Sequence, residues 1–388
     1  MARPLRILQL VPEALPTFRA DVATLFGKYL PRHGVECRLV GQDGTRAGPR
    51  WRAELAFALR CLRALLGVSR ADCDAVQVRD MVSIGLLALL VARLKGLPLM
   101  VWLSYLMSEG RIERARAQLA QGAGVRARLV LAKGLLERWL LYRVLLPRAD
   151  HVFVQSDAMA RLMQSHGIAP ERLSAVPMGV DMEAVTRQHA ARSWPGWEQR
   201  PVLAYLGTLD RARCLEQLLD ALALVRRELP QASLLLIGGS PRPDDVLQLR
   251  EAARRRGLHD ALGVTGWLPP AQAWEYVLGA QAAVSWVPRG ALYDVSTPTK
   301  LLEYLALGMP CVGNDTPDQA AVLTGSGAGW LAASTPQAMA EALLAILRDP
   351  EAARQRAAGG PRYIEERRSY RVLGAAVAQR YYSLLGAR

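Results

Sequence analysis

The chain has 388 residues, of which 51% are hydrophobic and 22% charged, and its formal net charge is +14. This length suggests two domains, each large enough for its own hydrophobic core, and the composition is that of a globular protein. The positive charge favours an acidic partner such as a nucleotide, a phosphorylated lipid, an anionic membrane surface or a nucleic acid. The five cysteines are scattered without a CxxC pair, which argues against a zinc site or a disulfide framework and suits a reducing cytosol.

The sequence predicts neither a secretion signal nor a membrane-spanning helix. The apolar core near the N-terminus is too short for a signal peptide. The apolar run at 84–92 is stopped by Arg93 and Lys95 before it could cross a bilayer. We therefore expect a cytoplasmic protein.

The first 176 residues alternate between apolar strands and amphipathic helices, which predicts a parallel sheet. A loop is expected at 104–111 and a long basic, apolar region at 125–148. No GxGxxG pattern follows the first strand, so a nicotinamide or flavin site of the usual type is not expected. The predicted strands are 5–11, 35–40, 74–78, 99–103, 151–155 and 173–176, and the predicted helices are 22–33, 51–66, 84–95 and 157–166.

A second alternating series starts after a turn at 177–181 and a polar linker at 182–200. We predict two doubly wound α/β domains, at 1–185 and 186–368, and a C-terminal helix at 369–388 that packs back on the first domain. Ligands of such folds bind beyond the carboxyl ends of the strands. The predicted strands are 202–207, 233–239, 262–265, 282–287 and 311–313, and the predicted helices are 215–228, 245–256, 271–278, 299–307, 336–347, 350–358 and 370–385.

The stretch 296–318, STPTKLLEYLALGMPCVGNDTPD, predicts a helix, a buried strand and a polar loop. Thr297 is a suitable N-cap, Pro298 suits the first helical position, and Gly308 suits the position just past the end. The body of the helix is apolar on nearly every side, which predicts burial.

Two kinds of polar group interrupt this apolar helix. The backbone N–H groups of Thr299, Lys300 and Leu301 lack helical partners, and the helix dipole and the Lys300 ammonium strengthen the anion site that they form. Glu303 needs a hydrogen-bonding partner if it is buried. The pair suits a nucleotide diphosphate, with the pyrophosphate at the helix tip and the ribose hydroxyls on Glu303. An ordinary core helix with one solvated glutamate is the alternative.

Several stretches together resemble a known family. They are ADHVFVQSDAM with VPMGVD, YLGTLDRARCLEQLLDAL, LLLIGGS, VTGW and STPTKLLEYLALGMPCV, in order from Ala149 to Val312. The chain resembles the retaining glycosyltransferases of the GT-B fold, in particular family 4 of polysaccharide-building enzymes, whereas residues 1–145 match only in general plan. The resemblance implies two Rossmann-like domains that face a cleft. It also implies transfer of a sugar, with retention of configuration, from a UDP-sugar, or as second choice a GDP-sugar, to a growing lipid-linked oligosaccharide or polysaccharide.

The resemblance assigns the contacts to the sugar nucleotide, and two of its usual residues are missing. Glu303 takes the place of the second glutamate of the family's E-x7-E motif, which binds the ribose. The first glutamate falls at Val295, with Asp294 adjacent but out of register. Thr208 stands where the family has an arginine, Arg213 stands where it has a lysine, and Arg211 is a second candidate for the diphosphate. The remaining candidates for donor binding are Gly207, Gly238, Gly239, Trp267, Thr297 and Thr299.

The first half departs further from the family. Many relatives carry a Gly-Gly pair after the first strand, but this chain has EALPTFR, with Thr17 and Arg19 as candidate acceptor or phosphate contacts. Many relatives also have a catalytic-site histidine after the fourth strand, where this chain has WLSYLMSEGR. Ser104 is then a candidate acceptor contact, and Glu109 could orient the acceptor hydroxyl. The five histidines are expected to be structural.

The resemblance implies chemistry that needs no metal and no cofactor besides the nucleotide sugar as co-substrate. In such a transfer the departing phosphate oxygen can itself take the acceptor proton, so the protein positions the reactants and stabilises the diphosphate charge. We assign that stabilisation to the helix tip at Thr299 and Lys300 and to Arg211 and Arg213, with Arg213 and Lys300 as the catalytic candidates. Asp72 and Asp74 match a DxD pattern of another glycosyltransferase fold, but they precede a strand of the first half and are not expected to hold a metal.

The positive charge predicts a partner for the first half. The segments Arg126–Arg148 and Trp51–Arg63 are basic and amphipathic, which favours binding to an anionic membrane surface. We therefore expect a peripheral protein on the inner face of the cytoplasmic membrane, with stacked core helices as the alternative. No nucleic-acid recognition motif is present. A non-catalytic accessory protein and a sugar-nucleotide epimerase of the same fold remain open as other functions.

Overall fold

The computed structural model describes residues 3–17, 19–44, 49–122, 124–186 and 189–386. The chain forms two compact units, Met1–Met178 with Tyr370–Arg388, and Gly179–Ser369. The boundary lies before residue 185, because Val180 pairs with Ser369 and its N–H donates to the carbonyl of Arg368 at 2.9 Å. These contacts place the short helix Met182–Val185 in the second unit.

The first unit is built on six parallel strands in the order β2-β1-β3-β4-β5-β6. Strands β3, β4 and β5 are buried along their whole length, which is why their sequences are runs of mainly apolar residues without alternation. The strands are β1 (Leu5–Leu15), β2 (Val35–Asp43), β3 (Ala75–Arg79), β4 (Leu99–Leu103), β5 (His151–Val154) and β6 (Leu173–Ala175).

The helices of the first unit cover both faces of its sheet. The connection from β1 to β2 runs in one direction across the sheet and all later connections run in the other, so right-handed crossovers place their helices on opposite faces. The C-terminal helix packs beside the β1–β2 helix over a core that includes Phe26, Trp102 and Phe153. The helices are Ala20–Tyr29 with Leu30–Arg32, Arg50–Gly67, Val82–Lys95, Met107–Ala120, Val125–Leu140 with Leu141–Leu145 and Leu146–Arg148, Asp157–Ser165, and Tyr370–Leu385, with a single turn at Pro170–Arg172.

The second unit repeats this plan with the strand order β12-β11-β10-β7-β8-β9, again all parallel. The strands are β7 (Val202–Leu206), β8 (Ser233–Ile237), β9 (Leu262–Val264), β10 (Ala282–Ser285), β11 (Cys311–Asn314) and β12 (Trp330–Ala332). Its helices are Met182–Val185, Glu216–Val225, Pro243–Arg255, Pro270–Leu278, Thr299–Ala306, Pro317–Ser326, Pro336–Arg348, Pro350–Ala357 and Gly360–Arg367, with a single turn at Arg211–Arg213.

Two predicted loops were wrong, and two elements were missed. The loop expected at 104–111 becomes helical from Met107 onward, and the polar loop expected near 317 is the helix Pro317–Ser326. The strand β12 and the helix Gly360–Arg367 were missed because each is too short to show a clear hydrophobic period. Among the described residues, no helix is long and apolar enough to cross a membrane.

Candidate functional site

Three turns meet at the carboxyl ends of β7, β8 and β9 in the second unit. Gly207 N–H donates to the carbonyl of Ile237 at 2.9 Å, and Gly238 N–H donates to Thr265 Oγ1 at 3.1 Å. Gly207 and Gly238 have φ of 146° and 142°, and a Cβ on Gly238 would lie 2.0 Å from the carbonyl oxygen of Gly207. Both positions therefore require glycine, and the backbone edge that they form is bare of side chains.

The helix Thr299–Ala306 begins beside this edge. Pro298 precedes it with φ −74° and ψ 111°, so the predicted cap at Thr297 is wrong, and Thr297 is buried one residue further back. The prediction failed because proline restricts φ but leaves ψ free to be extended. The C-terminal prediction is confirmed, since Gly308 has φ 67° and its N–H and that of Met309 donate to Leu305 and Tyr304 in a Schellman arrangement.

Lys300, in the first turn of this helix, reaches back over the bare edge. Its Nζ donates to Tyr205 Oη at 2.9 Å and to the Trp286 carbonyl at 3.1 Å, and it lies 4.2 Å from the centroid of the Tyr205 ring. A Cβ on Gly207 would lie 3.7 Å from Nζ. Burial, and next the guanidinium charge of Arg213, lower the pKa of Lys300 well below its usual range. Among the described residues no carboxylate lies within 4.0 Å of this ammonium.

The two candidate arginines lie in the turn after β7 but in different surroundings. Arg213 lies 5.7 Å from the Tyr293 ring centroid, and its nearest carboxylate oxygen, on Asp210, is 3.9 Å away. Arg211 is more exposed and lies 3.4 Å from the buried carboxylate of Asp245. Arg213 is therefore the arginine whose charge acts on Lys300. Arg211 forms an ion pair with Asp245 instead.

Glu303 lies one turn after Lys300 and has a partner that the sequence did not predict. Trp274 Nε1 donates to Glu303 Oε2 at 2.9 Å. Burial raises the pKa of Glu303, and the Trp274 hydrogen bond and the Lys300 charge oppose that rise. One carboxylate oxygen is thereby fixed, and Oε1 has no partner among the described residues.

Trp267 follows β9 and is 63% exposed. A Cβ on Gly239 would lie 2.9 Å from Trp267 Nε1, so the indole covers that glycine. Thr208 is half-buried beside it along the same edge, and the next residue, Leu209, donates to the Gly239 carbonyl at 2.9 Å. An exposed aromatic ring thus borders the glycine edge, and we call Lys300, Arg213, Glu303, Trp267 and the glycine edge the second-unit site.

The position of the missing first acidic residue is apolar in the structure as well. Val295 is buried, and both carboxylate oxygens of Asp294 accept hydrogen bonds from Arg289, at 2.8 and 3.1 Å. Arg289 also contacts Asp315 at 3.2 Å. Asp294 thus belongs to a surface ion-pair network. It lies one residue away from the position of the missing glutamate and does not replace it.

The candidate residues of the first unit form a separate group. Thr17 Oγ1 accepts a hydrogen bond from the Arg19 N–H at 3.1 Å, and the Arg19 side chain is exposed, 3.6 Å from Glu13. The structure thus leaves the Arg19 guanidinium largely in solvent at the end of β1.

Ser104 is buried and is committed to a neighbour. Its N–H donates to Asp80 Oδ1 at 2.7 Å and its hydroxyl donates to the other oxygen, which makes Ser104 a support for Asp80 rather than a free acceptor contact. Asp80 has φ 54°, and it belongs to a buried charge cluster with Arg79, Glu13 and Asp21 that the sequence did not predict. Burial raises the pKa of both Asp80 and Glu13.

Glu109 lies in the first turn of Met107–Ala120 and not in a loop. Its carboxylate is 3.8 Å from Arg138, and its charge contributes, after burial, to a raised pKa of Tyr142. Glu109 therefore ties two helices of the first unit together, a role that competes with orienting an acceptor.

The second-unit site contains four aromatic residues that the sequence did not single out. Tyr205 and Trp274 position Lys300 and Glu303, the Trp286 indole donates to the Arg213 carbonyl, and Tyr293 Oη donates to the carbonyl of Ala212. Their only sequence signal was that Tyr205 and Trp286 lie within the last three residues of predicted strands and that Tyr293 follows the second of these strands.

Asp72 and Asp74, which match the DxD pattern, form hydrogen bonds with residues of the first unit. Asp74 accepts hydrogen bonds from Arg3 and from the Arg6 N–H, both at 2.8 Å, and Asp72 accepts one from the Ser69 N–H at 2.7 Å. Within the part of the chain that the structure describes, no three His, Cys, Asp or Glu residues are grouped to hold a metal.

Two family models match the two halves of the chain. Residues 13–179 match the model described as a glycosyl transferase 4-like domain, and residues 188–362 match the model described as glycosyl transferases group 1. No curated protein sequence matches the chain significantly.

Solved structures share the fold over nearly the whole chain. HepE of Anabaena in complex with UDP has a TM-score of 0.65 at 14% identity and covers 98% of this chain and 100% of its own. Sucrose-phosphate synthase of Thermosynechococcus elongatus has a TM-score of 0.70 at 16% identity, with 99% and 100% covered. The lipopolysaccharide outer core galactosyltransferase WaaB has a TM-score of 0.62 at 14% identity, with 98% and 99% covered. The chain therefore has the two-domain α/β fold of the GT-B glycosyltransferases, and each of its halves matches a glycosyltransferase family model.

Proposed function

We propose that the protein transfers a sugar from a nucleotide-diphosphate sugar, with a UDP-sugar preferred and a GDP-sugar next. One observation carries the proposal. The Lys300 ammonium is largely buried against the glycine edge and donates to a phenol and a carbonyl, no described carboxylate lies within 4.0 Å of it, and the charge of Arg213 lowers its pKa more than either Glu303 or Asp210 raises it. A buried cation with no carboxylate in direct contact is costly, so this arrangement favours an anionic ligand.

A diphosphate fits the shape of this place as well as its charge. The first-turn N–H groups of Thr299–Ala306 have no acceptor within the helix, and the glycine edge allows phosphate oxygens to approach the backbone closely. The ribose would then lie one turn along the helix, on Oε1 of Glu303, with Trp274 holding the carboxylate in place. Trp267 offers a face for the base. The HepE structures contain UDP and UDP-glucose, which supports the choice of nucleotide.

We propose that the reaction is that of family 4, with retention of configuration and without a metal. As the bond between the sugar and the diphosphate breaks, negative charge grows on the diphosphate, and Lys300 and Arg213 stabilise it. The departing phosphate oxygen takes the proton of the acceptor hydroxyl on the same face of the sugar. The protein's own contribution is therefore to position the reactants and to stabilise the leaving group.

We further propose that the acceptor is a lipid-linked oligosaccharide or polysaccharide at an anionic membrane surface. The distribution of charge supports this. The first unit contains 29 of the 49 Lys and Arg residues and 14 of the 35 Asp and Glu residues, so its net charge is +15, whereas that of the second unit is −1. The excess positive charge is thus confined to the unit that does not contain the second-unit site.

The nucleotide assignment can be tested with Glu303→Gln. We expect the variant to fold normally and to bind UDP about 5- to 150-fold more weakly in isothermal titration calorimetry, because an acceptor of two hydroxyl hydrogens becomes partly a donor, a loss of about 1–3 kcal/mol. Glu341→Gln, on the exposed side of another helix of the same unit, is the matched control. An unchanged affinity of Glu303→Gln for UDP would contradict the proposal that Glu303 binds the ribose.

A thermal-shift panel of UDP-, GDP-, ADP- and dTDP-sugars tests the donor class. The preferred donor should then be transferred to an acceptor or slowly hydrolysed. Binding without either reaction would favour a non-catalytic accessory protein, and interconversion of the sugar nucleotide without an acceptor would favour an epimerase.

A further inference from the structure

The first unit exposes apolar side chains to an unusual extent. Among the described residues, fifteen large apolar side chains are exposed, and twelve of them belong to this unit. Eleven of those twelve lie on three helices: Arg50–Gly67, Val82–Lys95 and Val125–Leu140. Large contiguous apolar patches on a protein surface mark contact sites.

These exposed residues follow the helical period and form stripes. On Arg50–Gly67 the exposed stripe contains Trp51, Leu55, Leu59 and Leu66, and the opposite side of the same helix buries Phe57, Cys61 and Leu65 in the protein. The helix thus has one apolar face for the core and a second apolar face that no described residue covers. A helix that only packs on a sheet needs the first face alone.

The other two helices repeat the pattern. Leu90 and Leu94 are exposed by 61% and 79% on Val82–Lys95, one turn apart. On Val125–Leu140 the stripe is formed by Val125, Leu129, Leu136 and Trp139. Its opposite side contains the buried Ala127 and Gly134.

The three stripes lie on the same side of the sheet. All three helices belong to connections that run in the same direction across it, and right-handed crossovers therefore place them on one face. The first two are neighbours, since Lys95 Nζ donates to the carbonyl of Leu66 at 2.5 Å. The second lies beside the continuation of the third, because a Cβ on Gly85 would meet the side chain of Leu145. We call the exposed stripes and their flanking charges the three-helix face.

The charges of the three helices are almost all positive. The three helices contain ten Lys and Arg residues and two Glu residues. Arg126, Arg128 and Lys133 are exposed beside the stripe of the third helix, and the Arg52 guanidinium lies over the Trp51 ring at 5.3 Å. Basic side chains around apolar residues, with tryptophan among them, are the composition of helices that lie in a membrane interface.

We infer that the three-helix face docks on an anionic lipid bilayer by two means at once: the stripes insert among the lipids, and the Lys and Arg residues bind the headgroups. The inference rests on the proposed transfer at a membrane surface and names the part of the chain that makes the contact. Charge complementarity selects a bilayer rather than a second copy of the chain, since two such faces would repel each other. Insertion adds a component that salt does not screen, which purely electrostatic binding lacks.

Vesicle co-sedimentation tests the inference without any sugar. We expect strong binding to vesicles of equimolar phosphatidylcholine and phosphatidylglycerol, weaker binding to phosphatidylcholine alone, and partial retention when salt rises from about 0.1 to about 1 M, where the Debye length falls from about 10 to about 3 Å. Leu136→Ser with Trp139→Ser should remove the salt-resistant part and weaken binding about tenfold or more. Leu247→Ser, an equally exposed leucine of the second unit, is the matched control.

The charge component needs its own pair of variants. Arg126→Glu with Arg128→Glu should weaken binding at low salt about tenfold or more, whereas Arg254→Glu with Arg255→Glu on the second unit should not. All variants should keep the thermal unfolding profile and the UDP-induced thermal shift of the wild type, which separates failure of docking from misfolding and from failure of the proposed donor site.

Three results would overturn the inference. They are equal binding to neutral and anionic vesicles, wild-type binding by the serine or glutamate variants of the three-helix face, and a dimer in light scattering that the serine variants convert to a monomer. The last result would assign the face to a second copy of the chain.

Discussion

Lys300 and Arg213 are two cations at the end of the same sheet, and the charge of Arg213 disfavours the charged form of Lys300. A bound anion would offset this repulsion. The lowered pKa of Lys300 has burial as its first cause and Arg213 as its second. The negative charge of a bound diphosphate would oppose both effects and raise the pKa of Lys300 again. The charge on the diphosphate grows during bond cleavage, so the two cations should act more strongly in the transition state than in the ground state.

Arg213→Ala and Lys300→Ala should therefore lower kcat by more than they raise the KM for the donor. We expect about 10²-fold or more for at least one of them, by analogy with the loss of an oxyanion donor. Arg211→Ala should have a smaller effect, because Arg211 lies against Asp245 at 3.4 Å. Steady-state kinetics with the preferred UDP-sugar, with and without EDTA, measure this. Full turnover in both variants, or a loss in EDTA that Mg²⁺ or Mn²⁺ restores, would disprove the proposed mechanism.

His151 gives the first unit a pH dependence that is unrelated to catalysis. It is buried in β5, its Nε2 lies 2.9 Å from Ser174 Oγ, and burial, with smaller contributions from Arg380 and Arg172, lowers its pKa to about 4. In the unfolded chain the pKa of histidine is about 6.5. The neutral ring is thus favoured in the folded state, so its contribution to stability is complete above pH 6.5 and is lost as the pH falls toward 4.

We expect this loss to be about 1–3 kcal/mol between those two pH values. Urea unfolding of the wild type and of His151→Gln at a series of pH values measures it. In the wild type the free energy of unfolding should change with pH as expected for the uptake of about one proton on unfolding, and the variant should lack this change. His259→Gln, an exposed histidine of the second unit, should keep the slope. Equal slopes in the wild type and His151→Gln would show that His151 does not titrate as proposed.

At the scale of elements, the second-unit site depends on how turns after different strands fit together. The turns after β7 and β8 approach so closely that a Cβ at Gly238 would collide with the Gly207 carbonyl. The glycines therefore do more than permit a positive φ, since they also allow contact between two backbone segments.

Comparison of Gly238→Ala with Gly290→Ala separates these two roles. Gly290 has φ 144°, close to the 142° of Gly238, but a Cβ added at Gly290 would have no atom within 4 Å. We expect Gly290→Ala to cost about 1–2 kcal/mol for backbone strain alone, and Gly238→Ala to cost about 1–3 kcal/mol more. Urea unfolding measures the stability, and UDP titration should show weaker binding only for Gly238→Ala. If both variants lost the same stability, the turns after β7 and β8 would be able to move apart without any loss of free energy.

Amphipathic helices illustrate what an element's sequence leaves open. The pattern in Trp51–Arg63 correctly predicted a helix, and the structure shows that it has two apolar faces, of which only one is buried. The stacked-helix interpretation thus accounts for one face of that helix, and the exposed face carries the membrane proposal.

At the scale of the whole molecule, the two ends of the chain build one unit. The C-terminal helix Tyr370–Leu385 completes the core of the first unit, where Tyr381 is fully buried and its Oη donates to Gln77 Oε1 at 2.6 Å. The second-unit site draws no side chain from this helix.

Tyr381→Ala should therefore destabilise the first unit by about 3–5 kcal/mol and leave the affinity for UDP unchanged at temperatures where the variant is folded. Tyr382→Ala, which removes a half-buried neighbour on the same helix, should cost less. Differential scanning calorimetry and UDP titration measure the two quantities. A loss of UDP affinity in folded Tyr381→Ala would contradict the assignment of helix and site to different units.

The sequence by itself determined the two parallel α/β units, most element positions, the glycine that ends Thr299–Ala306, and Lys300 and Glu303 as candidates, to which the family resemblance added Arg213. These features depend on hydrophobic period, on helix-end chemistry and on motif spacing, all of which are local in the chain. The tertiary structure decided which side chains form hydrogen bonds with these candidates. Trp274 and Glu303 are 29 residues apart, and Tyr205 and Lys300 are 95 apart.

Contacts of that separation form only when strands take their order in the sheet and the turns meet, so no local pattern contains them. The same reason explains Ser104, whose position after β4 suggested a free hydroxyl but whose oxygen donates to Asp80, 24 residues earlier. It also explains the three-helix face, because the sequence shows that a helix side is apolar, and only the packed structure shows whether protein covers it.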